Sequence, residues 1–442
     1  MTDIAVPEIT IHPVLATPEP PKWSGASWVG EIYWDATYSD HTPVVHRPSS
    51  LRLYGAEGYR HARLLVRTGT GPLGFVALDV VDGLLDVEQL RRRLAELPSP
   101  DATTSAGAPT GEVPTPAITV VICTRDRVAM LQTALDSVLA LEYPNFEVIV
   151  VDNAAATDAT RRHVEALGDP RVRVIEEPRP GLSRARNAGL LAAAGDVVAF
   201  TDDDVVVDRH WLSAVARGFT RGRAVSCVSG LVPAAELRTP AQAYFDSRVG
   251  WSECMSVRVF DRADPPADIP LFPFAVGHYG TGANFAVDRD VLLRLGGFDE
   301  ALGAGSPTGG GEDLDMFFRV LRAGGQLVYD PAAVVWHRHR ASGDGLAAQS
   351  RTYGVGLGAW IAKIACDRRT APDAVATAVG KAPEFLRYLS YSAATSRPAD
   401  DLAHLLPNGL STPAWRSVLA GFRAYRASLR EGRRPAPLLE LT

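Results

Sequence analysis

The stretch Ile118-Thr-Val-Val-Ile-Cys-Thr-Arg-Asp-Arg127 begins the part of this 442-residue chain whose pattern decides the fold. Its first six residues form an apolar run of strand length, and apolar residues at helical spacing follow over 128–141. Further strands are predicted over 146–151, 171–175 and 196–200, with helices over 158–167, 182–194 and 208–219. Apolar strands that alternate with helices indicate an α/β fold with a mostly parallel sheet covered on both faces.

Polar residues follow these strands at the sheet edge where such folds bind ligands. Thr124 to Arg127 follow the first strand, Asp152 and Asn153 the second, and Thr201-Asp-Asp-Asp204 the fourth. Three adjacent carboxylates repel one another, and a hard divalent cation with oxygen ligands would offset that repulsion. An acidic helix N-terminus is the alternative, since a helix is predicted from Asp208. The strand context favours a metal site.

Two further clusters contain side chains of the kinds that act as catalytic bases or metal ligands. Gly309-Gly-Gly311 leads into Glu312-Asp-Leu-Asp315. A carboxylate beside a glycine hinge suits a general base, but acidic residues also favour a first helical turn, and the cluster alone leaves both interpretations open. The run Val334-Val-Trp-His-Arg-His339 places His337 and His339 on one face of a predicted strand. Zinc would need two more ligands at recognisable spacing, and none is adjacent; an isolated surface histidine is the alternative.

Taken in order, these pieces resemble an inverting glycosyltransferase of family 2, which has the GT-A fold, over about half of the chain. The matching pieces are Ile122–Arg127, Val150-Val-Asp-Asn153, Gly181-Leu-Ser-Arg-Ala-Arg-Asn-Ala-Gly189, Phe200–Asp204, Gly280-Thr-Gly-Ala-Asn284, Gly296-Gly-Phe-Asp-Glu300, Gly311–Asp315 and the strand of His337. Each piece alone is weak, whereas this set in this order is specific.

The resemblance implies a role for each matching residue. Residues implied at the nucleotide-sugar site are Thr124, Arg125, Asp152, Arg184, Asp202, Asp203, Gly282, Asn284 and Glu312. Residues implied to hold Mn²⁺ or Mg²⁺ on the donor diphosphate are Asp202, Asp203, Asp204 and His337. Asp313 would take the proton of the acceptor hydroxyl, and a sugar would pass with inversion from a nucleotide-diphosphate donor, UDP or another pyrimidine nucleotide. The acceptor, whether a glycan, a lipid-linked group or a natural product, is not identified.

Other functional classes fit less well. A nucleotidyltransferase would carry a glycine-rich first loop, and Thr124 to Arg127 contain no glycine. A catalytically silent binding module would not need the intact carboxylate clusters. The run Gly354-Val-Gly-Leu-Gly-Ala359 does not open the first βα unit, which argues against a dinucleotide-binding oxidoreductase. Gly181-Leu-Ser183 is followed by Arg-Ala, so the serine hydrolase motif is absent. The first two classes stay as alternatives.

The composition restricts the possible binding partners of the protein and its cellular compartment. A formal charge of −6 argues against bulk nucleic-acid binding. Lysine occurs only at Lys22, Lys363 and Lys381, which excludes Schiff-base chemistry from the central region. Four separated cysteines without a CxxC pair, no signal-peptide pattern and no apolar run of about 18 residues predict a cytoplasmic protein.

The predicted organisation has five parts: a disordered lead over 1–22, a small α+β domain of unknown role over 23–97, a linker over 98–116, the GT-A domain over 117–340, and a helical region over 341–442. Helices are predicted over 347–364 and 373–389, the second split by Pro383. Tyr353, Trp360, Ile361 and Ile364, beside Lys363, suggest an interfacial helix for a lipid-linked acceptor at the inner face of a membrane. Packing on the catalytic domain or on a second subunit, as in a homo-oligomer, is the alternative.

Overall fold

The structure is a computed structural model that describes residues 10–34, 50–69, 71–98, 115–386, 402 and 414–438. Most of the predicted linker and the first nine residues of the predicted lead lie outside these ranges. The rest of that lead differs from the prediction, because residues 10–11 form a short strand that pairs with residues 52–53.

The described residues of the N-terminal part form two three-stranded sheets and one helix. Its elements are β1 (Thr10–Ile11), β2 (Ser27–Tyr33), β3 (Ser50–Leu53), β4 (His61–Thr68), β5 (Gly71–Asp79), β6 (Leu84–Asp86) and α1 (Val87–Leu94). The strand orders are β1-β3-β6 and β2-β4-β5.

A nine-stranded mixed sheet occupies the centre of the chain. Its strands are β7 (Ile118–Thr124), β8 (Phe146–Asn153), β9 (Val172–Glu177), β10 (Val197–Thr201), β11 (Val205–Val207), β12 (Val225–Leu231), β13 (Arg258–Phe260), β14 (Asn284–Asp288) and β15 (Gln326–His337). The helices that follow α1 are α2 (Val128–Leu139), α3 (Ala159–Leu167), α4 (Leu182–Ala192), α5 (Trp211–Gly218), α6 (Pro240–Arg248), α7 (Arg289–Arg294), α8 (Glu312–Arg322), α9 (Gly343–Cys366), α10 (Ala371–Gly380) and α11 (Ala414–Arg430).

Successive residues of the first strand of this sheet enter different cores. Val121 packs in one hydrophobic cluster, whereas Val120 and Ile122 pack in another, and all three are fully buried. Side chains alternate across a strand, so both faces of the sheet are covered. The predicted α/β class is therefore confirmed.

The pairing directions refine the prediction of a mostly parallel sheet. The four strands read from the sequence, β9, β8, β7 and β10, are neighbours and pair in parallel. Four other pairs, β10–β14, β12–β14, β11–β15 and β13–β15, are antiparallel. An apolar run does not reveal the direction of its partner, so the sequence could not show that the sheet is mixed.

The N-terminal sheets pack directly on the strand that carries His337. Phe75 of β5 meets Trp336 of β15 edge-on, with ring centroids 6.3 Å apart. The guanidinium of Arg67 on β4 forms a buried ion pair with Asp208, which follows β11. Val29 and Leu65 belong to the same hydrophobic cluster as the central sheet. This part of the chain therefore shares a core with the sheet and supports the edge where β11 and β15 meet.

The helix proposed above to lie at a membrane is packed against the protein. Trp360 and Ile364 of α9 are 3% and 4% exposed, and the Trp360 ring contacts Phe318 at 5.5 Å between centroids. Lys363 Nζ lies 2.7 Å from Asp299 Oδ2 and 2.6 Å from Asp315 Oδ1. Trp360 and Ile364, two of the residues expected to face lipid, therefore pack on the protein, as the alternative interpretation of this helix predicts, whereas Tyr353 is 40% exposed. Among the described residues, no helix has the length and hydropathy needed to cross a membrane.

Replacing Lys363 by Met is expected to lower the free energy of unfolding by about 3–5 kcal/mol, because it leaves the buried Asp299 carboxylate without its cation. Urea unfolding of the full chain, followed by tryptophan fluorescence, measures the change. Lys381 is exposed, so Lys381→Met is the matched control and should unfold with the wild type. Equal midpoints for the two variants would show that the buried ion pair contributes little.

Candidate active site

A cavity of about 1140 Å³ opens at the carboxyl ends of β7, β8 and β10. Nine of the residues predicted for the site line it: Thr124, Arg125, Asp202, Asp203, Asp204, Gly282, Glu312, Asp313 and His337. The three others, Asp152, Arg184 and Asn284, do not. The residues that follow separate strands therefore meet at one edge, as expected for an α/β sheet.

Two carboxylates and one imidazole converge in this cavity. Ligand atoms of Asp202, Asp204 and His337 all lie within 4.8 Å of one another. His337 Nε2 is 3.2 Å from Asp204 Oδ1 and 3.9 Å from Asp202 Oδ2. The register of β11 against β15 creates this arrangement, since Val205 pairs with His337 immediately after the aspartates. Two oxygens and one nitrogen form a donor set that fits Mn²⁺, and less closely Mg²⁺.

Neighbouring charges and burial shift the pKa values of Asp202, Asp204 and His337 in different directions. Burial and the neighbouring Asp204 raise the pKa of Asp202, although Arg186 opposes the shift. Burial would also raise the pKa of Asp204, but the charges of His337 and Arg127 outweigh it and lower that pKa. The pKa of His337 is raised, because Asp204 outweighs the burial that would lower it. A divalent cation would replace these partial compensations with a full one.

The middle aspartate faces other partners. Asp203 Oδ2 accepts a hydrogen bond of 2.7 Å from Thr124 Oγ1, and Arg127 Nη1 lies 2.5 Å from Asp203 Oδ1. Arg127 Nη2 also reaches Asp204 Oδ2 at 2.7 Å. Burial raises the pKa of Asp203 to about 6. Asp203 therefore joins the first strand's loop to the acidic loop, and it is not part of the group that converges with His337.

The second acidic cluster borders the same cavity. Glu312 and Asp313 occupy the first turn of α8, and Gly311 precedes the helix at a φ of 94°, where glycine is favoured. A Cβ on Gly311 would lie 2.6 Å from Gly356 O, so the glycine loop touches the backbone of α9. Asp313 is half-buried and borders the cavity. Burial and the Asp313 charge raise the pKa of Glu312 to about 7.

Arg186 connects the two acidic clusters. Its Nη1 lies 2.9 Å from Glu312 Oε1, and its Nη2 lies 3.5 Å from Asp202 Oδ1 and donates to Gly282 O at 2.9 Å. A Cβ on Gly282 would come within 3.1 Å of Arg186 Nη2 and 3.3 Å of Asp313 Oδ2, which explains a glycine there. Sequence reasoning missed Arg186, although it lies in the quoted run 181–189.

Arg184, predicted on the nucleotide side, instead pairs with Glu300 at 3.0 Å. Residues two apart on a helix point about 200° away from each other, so Arg184 and Arg186 cannot both face the cavity. The helical position of the run was the signal that could have distinguished them.

The two other predicted residues that do not line the cavity are buried. Asn284 is fully buried, accepts from Trp211 Nε1 at 2.9 Å, and donates to Leu231 O and Ala333 O. Asp152 is 4% exposed, and burial raises its pKa. Its neighbour Asn153 lines the cavity, and Asn153 Oδ1 accepts a hydrogen bond of 3.0 Å from Gly181 N.

The comparisons with known proteins all point to glycosyltransferases. Residues 119–293 match the family model described as Glycosyl transferase family 2, which confirms the predicted resemblance. The Pre-mycofactocin glycosyltransferase of Mycobacterium tuberculosis is 30% identical over 241 residues, 54% of this chain and 46% of that protein. Polypeptide N-acetylgalactosaminyltransferase 10 of Mus musculus is 29% identical over 208 residues, 44% of this chain and 32% of that protein. The chain thus spans less than half the length of these curated relatives.

Two solved structures are also similar. Mannosyltransferase PcManGT from Pyrobaculum calidifontis, in complex with GDP-Man and Mn²⁺, aligns with a TM-score of 0.43 at 23% identity over 72% of this chain and 86% of that one. GalNAc-T7 with UDP, GalNAc and Mn²⁺ aligns with a TM-score of 0.43 at 16% identity over 62% of this chain and 58% of that one.

Proposed function

From the match of residues 119–293 to the Glycosyl transferase family 2 model, we propose that this chain transfers a sugar from a nucleotide-diphosphate donor to an acceptor hydroxyl. The observation that carries the proposal is one shared cavity. The group formed by Asp202, Asp204 and His337 lies on one wall, and Asp313 lies on the wall formed by α8.

The metal group fits the donor's diphosphate. Asp202, Asp204 and His337 would hold Mn²⁺ or Mg²⁺, which, when bound, would neutralise charge on the leaving diphosphate. Arg340 lies 3.7 Å from Asp204 Oδ2 with its side chain 46% exposed, so its guanidinium is available to the same phosphates. Thr124, Arg125 and Asn153 border the cavity beyond the carboxyl ends of β7 and β8, where we place the nucleoside. The donor that we propose is a nucleotide sugar whose nucleoside is uridine or contains another pyrimidine base.

Asp313 is proposed as the base. The acceptor oxygen would form a bond to the anomeric carbon as the bond from that carbon to the phosphate oxygen breaks. The acceptor's proton would pass to the Asp313 carboxylate, and the electron pair of the broken bond would leave with the nucleoside diphosphate. Inversion would require the acceptor oxygen to attack the anomeric carbon from the side away from the diphosphate. Arg186 would hold Glu312 and the Gly282 carbonyl around this point, as a positioning residue.

A donor screen tests the proposal. The protein is incubated with Mn²⁺ and a panel of UDP-, GDP- and dTDP-sugars, and hydrolysis of the donor and thermal shift are measured. We expect one uridine or pyrimidine donor to raise the melting temperature and to release nucleoside diphosphate slowly. Binding without turnover on any acceptor would indicate a silent sugar-binding module. Release of pyrophosphate from a nucleoside triphosphate and a sugar 1-phosphate would indicate a nucleotidyltransferase.

A further inference from the structure

An aromatic wall closes the side of the cavity formed by the 240–252 segment and α9. Trp251 and Tyr353 both line the cavity, with ring centroids 6.2 Å apart and planes inclined by 57°. Phe245 packs behind both rings, at 5.4 Å from Trp251 and 6.3 Å from Tyr353, and is itself 5% exposed. Tyr353 itself is 40% exposed. A buried ring thus supports two accessible ones, which makes the wall rigid.

Polar groups border this wall. Gln349 Nε2 donates to Tyr353 Oη at 2.8 Å, so the phenol can give its own proton to a second partner. Gln349 Oε1 is buried and has no hydrogen-bond partner among the described residues. Gln349 and Tyr353 both line the cavity, so the amide and the phenol together offer hydrogen-bonding groups to a ligand hydroxyl.

The wall lies beside the proposed base. Thr352, next to Tyr353, would be 3.1 Å from a Cβ on Gly309, in the glycine loop that leads to Asp313. The opposite end of the wall reaches the metal group, since Trp251 and Phe245 both pack on His339, and His339 Nδ1 is 3.3 Å from His337 Nδ1.

We propose that Trp251 and Tyr353 form the acceptor subsite and that the acceptor group they receive is a sugar ring. A pyranose has an apolar face of C–H groups and hydroxyls around its rim. The rings of Trp251 and Tyr353 match this apolar face, and the Gln349 amide with Tyr353 Oη matches the hydroxyls of the rim. A peptide side-chain hydroxyl or a lipid phosphate would use neither feature. This inference rests on the proposed function.

Saturation-transfer NMR tests the inference with named probes: methyl glycopyranosides of glucose, galactose, mannose and N-acetylglucosamine, a threonine-containing peptide, and 4-nitrophenol. At least one glycoside should bind through its ring C–H protons. Trp251→Ala and Tyr353→Ala should each weaken that glycoside by about tenfold. Tyr353→Phe, which keeps the ring face, should weaken it less. The exposed Tyr54 lies away from the cavity, so Tyr54→Ala is the control.

Binding of UDP or GDP with Mn²⁺, followed by thermal shift, shows whether each variant is folded and separates the two proposals. Nucleotide binding without any glycoside binding, binding of only the peptide or only the phenol, or glycoside binding unaffected by Trp251→Ala and Tyr353→Ala would each overturn the sugar subsite and leave the proposed function standing. Failure of every nucleotide and nucleotide sugar to bind the wild type would overturn the proposed function itself.

Discussion

Protein treated with EDTA is expected to transfer no sugar, and added Mn²⁺ or Mg²⁺ is expected to restore transfer. The cluster of Asp202, Asp204 and His337 holds two carboxylates within 4.8 Å of an imidazole, and only part of their charge is compensated by Arg127 and Arg186. Loss of the cation would leave the leaving diphosphate uncompensated, which costs several kcal/mol, or about 10³-fold in rate or more. Release of nucleoside diphosphate in the presence of the acceptor measures the effect.

Variants within the triplet sharpen the test. Asp202→Asn and Asp204→Asn each remove one proposed ligand and should weaken Mn²⁺ binding, measured by calorimetry, together with transfer. Asp203→Asn is the matched control for metal binding, since Asp203 pairs with Thr124 and Arg127 and not with His337. It should leave Mn²⁺ affinity close to that of the wild type. Added Mn²⁺ should raise the melting temperature of the wild type and of Asp203→Asn only.

Full transfer in a chelator would contradict the metal assignment, though not the family. Equal Mn²⁺ affinity for Asp203→Asn and Asp204→Asn variants, both reduced, would show that all three aspartates hold the ion, as the resemblance implied.

The sequence predicted the parts of this fold that depend on local pattern. Apolar runs gave the four parallel strands, and helical spacing gave α2 to α5 with ends displaced by a few residues. Polar residues after β7, β8 and β10 met at one cavity because parallel strands end at a common edge. The N-terminal sheets could not be placed in the same way, since the contact between Phe75 and Trp336 joins segments about 260 residues apart with no local signal.

Individual site residues were less predictable where a motif offered two similar side chains. Arg184 and Arg186 have the same chemistry, and only the direction each takes from α4 decides that Arg186 faces the acids. Asn284 belongs to a motif that borders the cavity. Its own side-chain amide, however, forms hydrogen bonds with three buried groups outside the cavity lining. The burial of Lys363 in α9 was unpredictable for a related reason: the local sequence does not show that Asp299 and Asp315 lie beside it.

Asp313→Asn is expected to reduce turnover by about 10²–10⁴-fold, the usual contribution of a general base, while nucleotide binding stays near that of the wild type. Asp313 borders the cavity at the start of α8, next to Gly282. The amide is close in shape to the carboxylate but cannot accept the acceptor's proton. Single-turnover transfer, measured with a saturating donor, reports the loss without interference from product release.

Asp315→Asn is the control from the same helical turn. Asp315 is fully buried, and its two oxygens meet Arg319 Nε at 2.7 Å and Lys363 Nζ at 2.6 Å. Its replacement should therefore lower stability and leave the turnover of the folded protein within a few-fold of the wild type.

The remaining competitor is Glu312, whose pKa of about 7 would also suit a base, although its carboxylate is paired with Arg186. The two candidates predict different pH profiles. A base must be ionised, so if Glu312 acted, turnover would fall as the pH falls through about 7, and Glu312→Gln would remove that limb. If Asp313 acts, Asp313→Asn lowers turnover across the whole range, and Glu312→Gln leaves a measurable rate, reduced only by the disturbed position of Arg186. Near-normal turnover of Asp313→Asn, combined with a limb near pH 7 that Glu312→Gln abolishes, would transfer the role of base to Glu312.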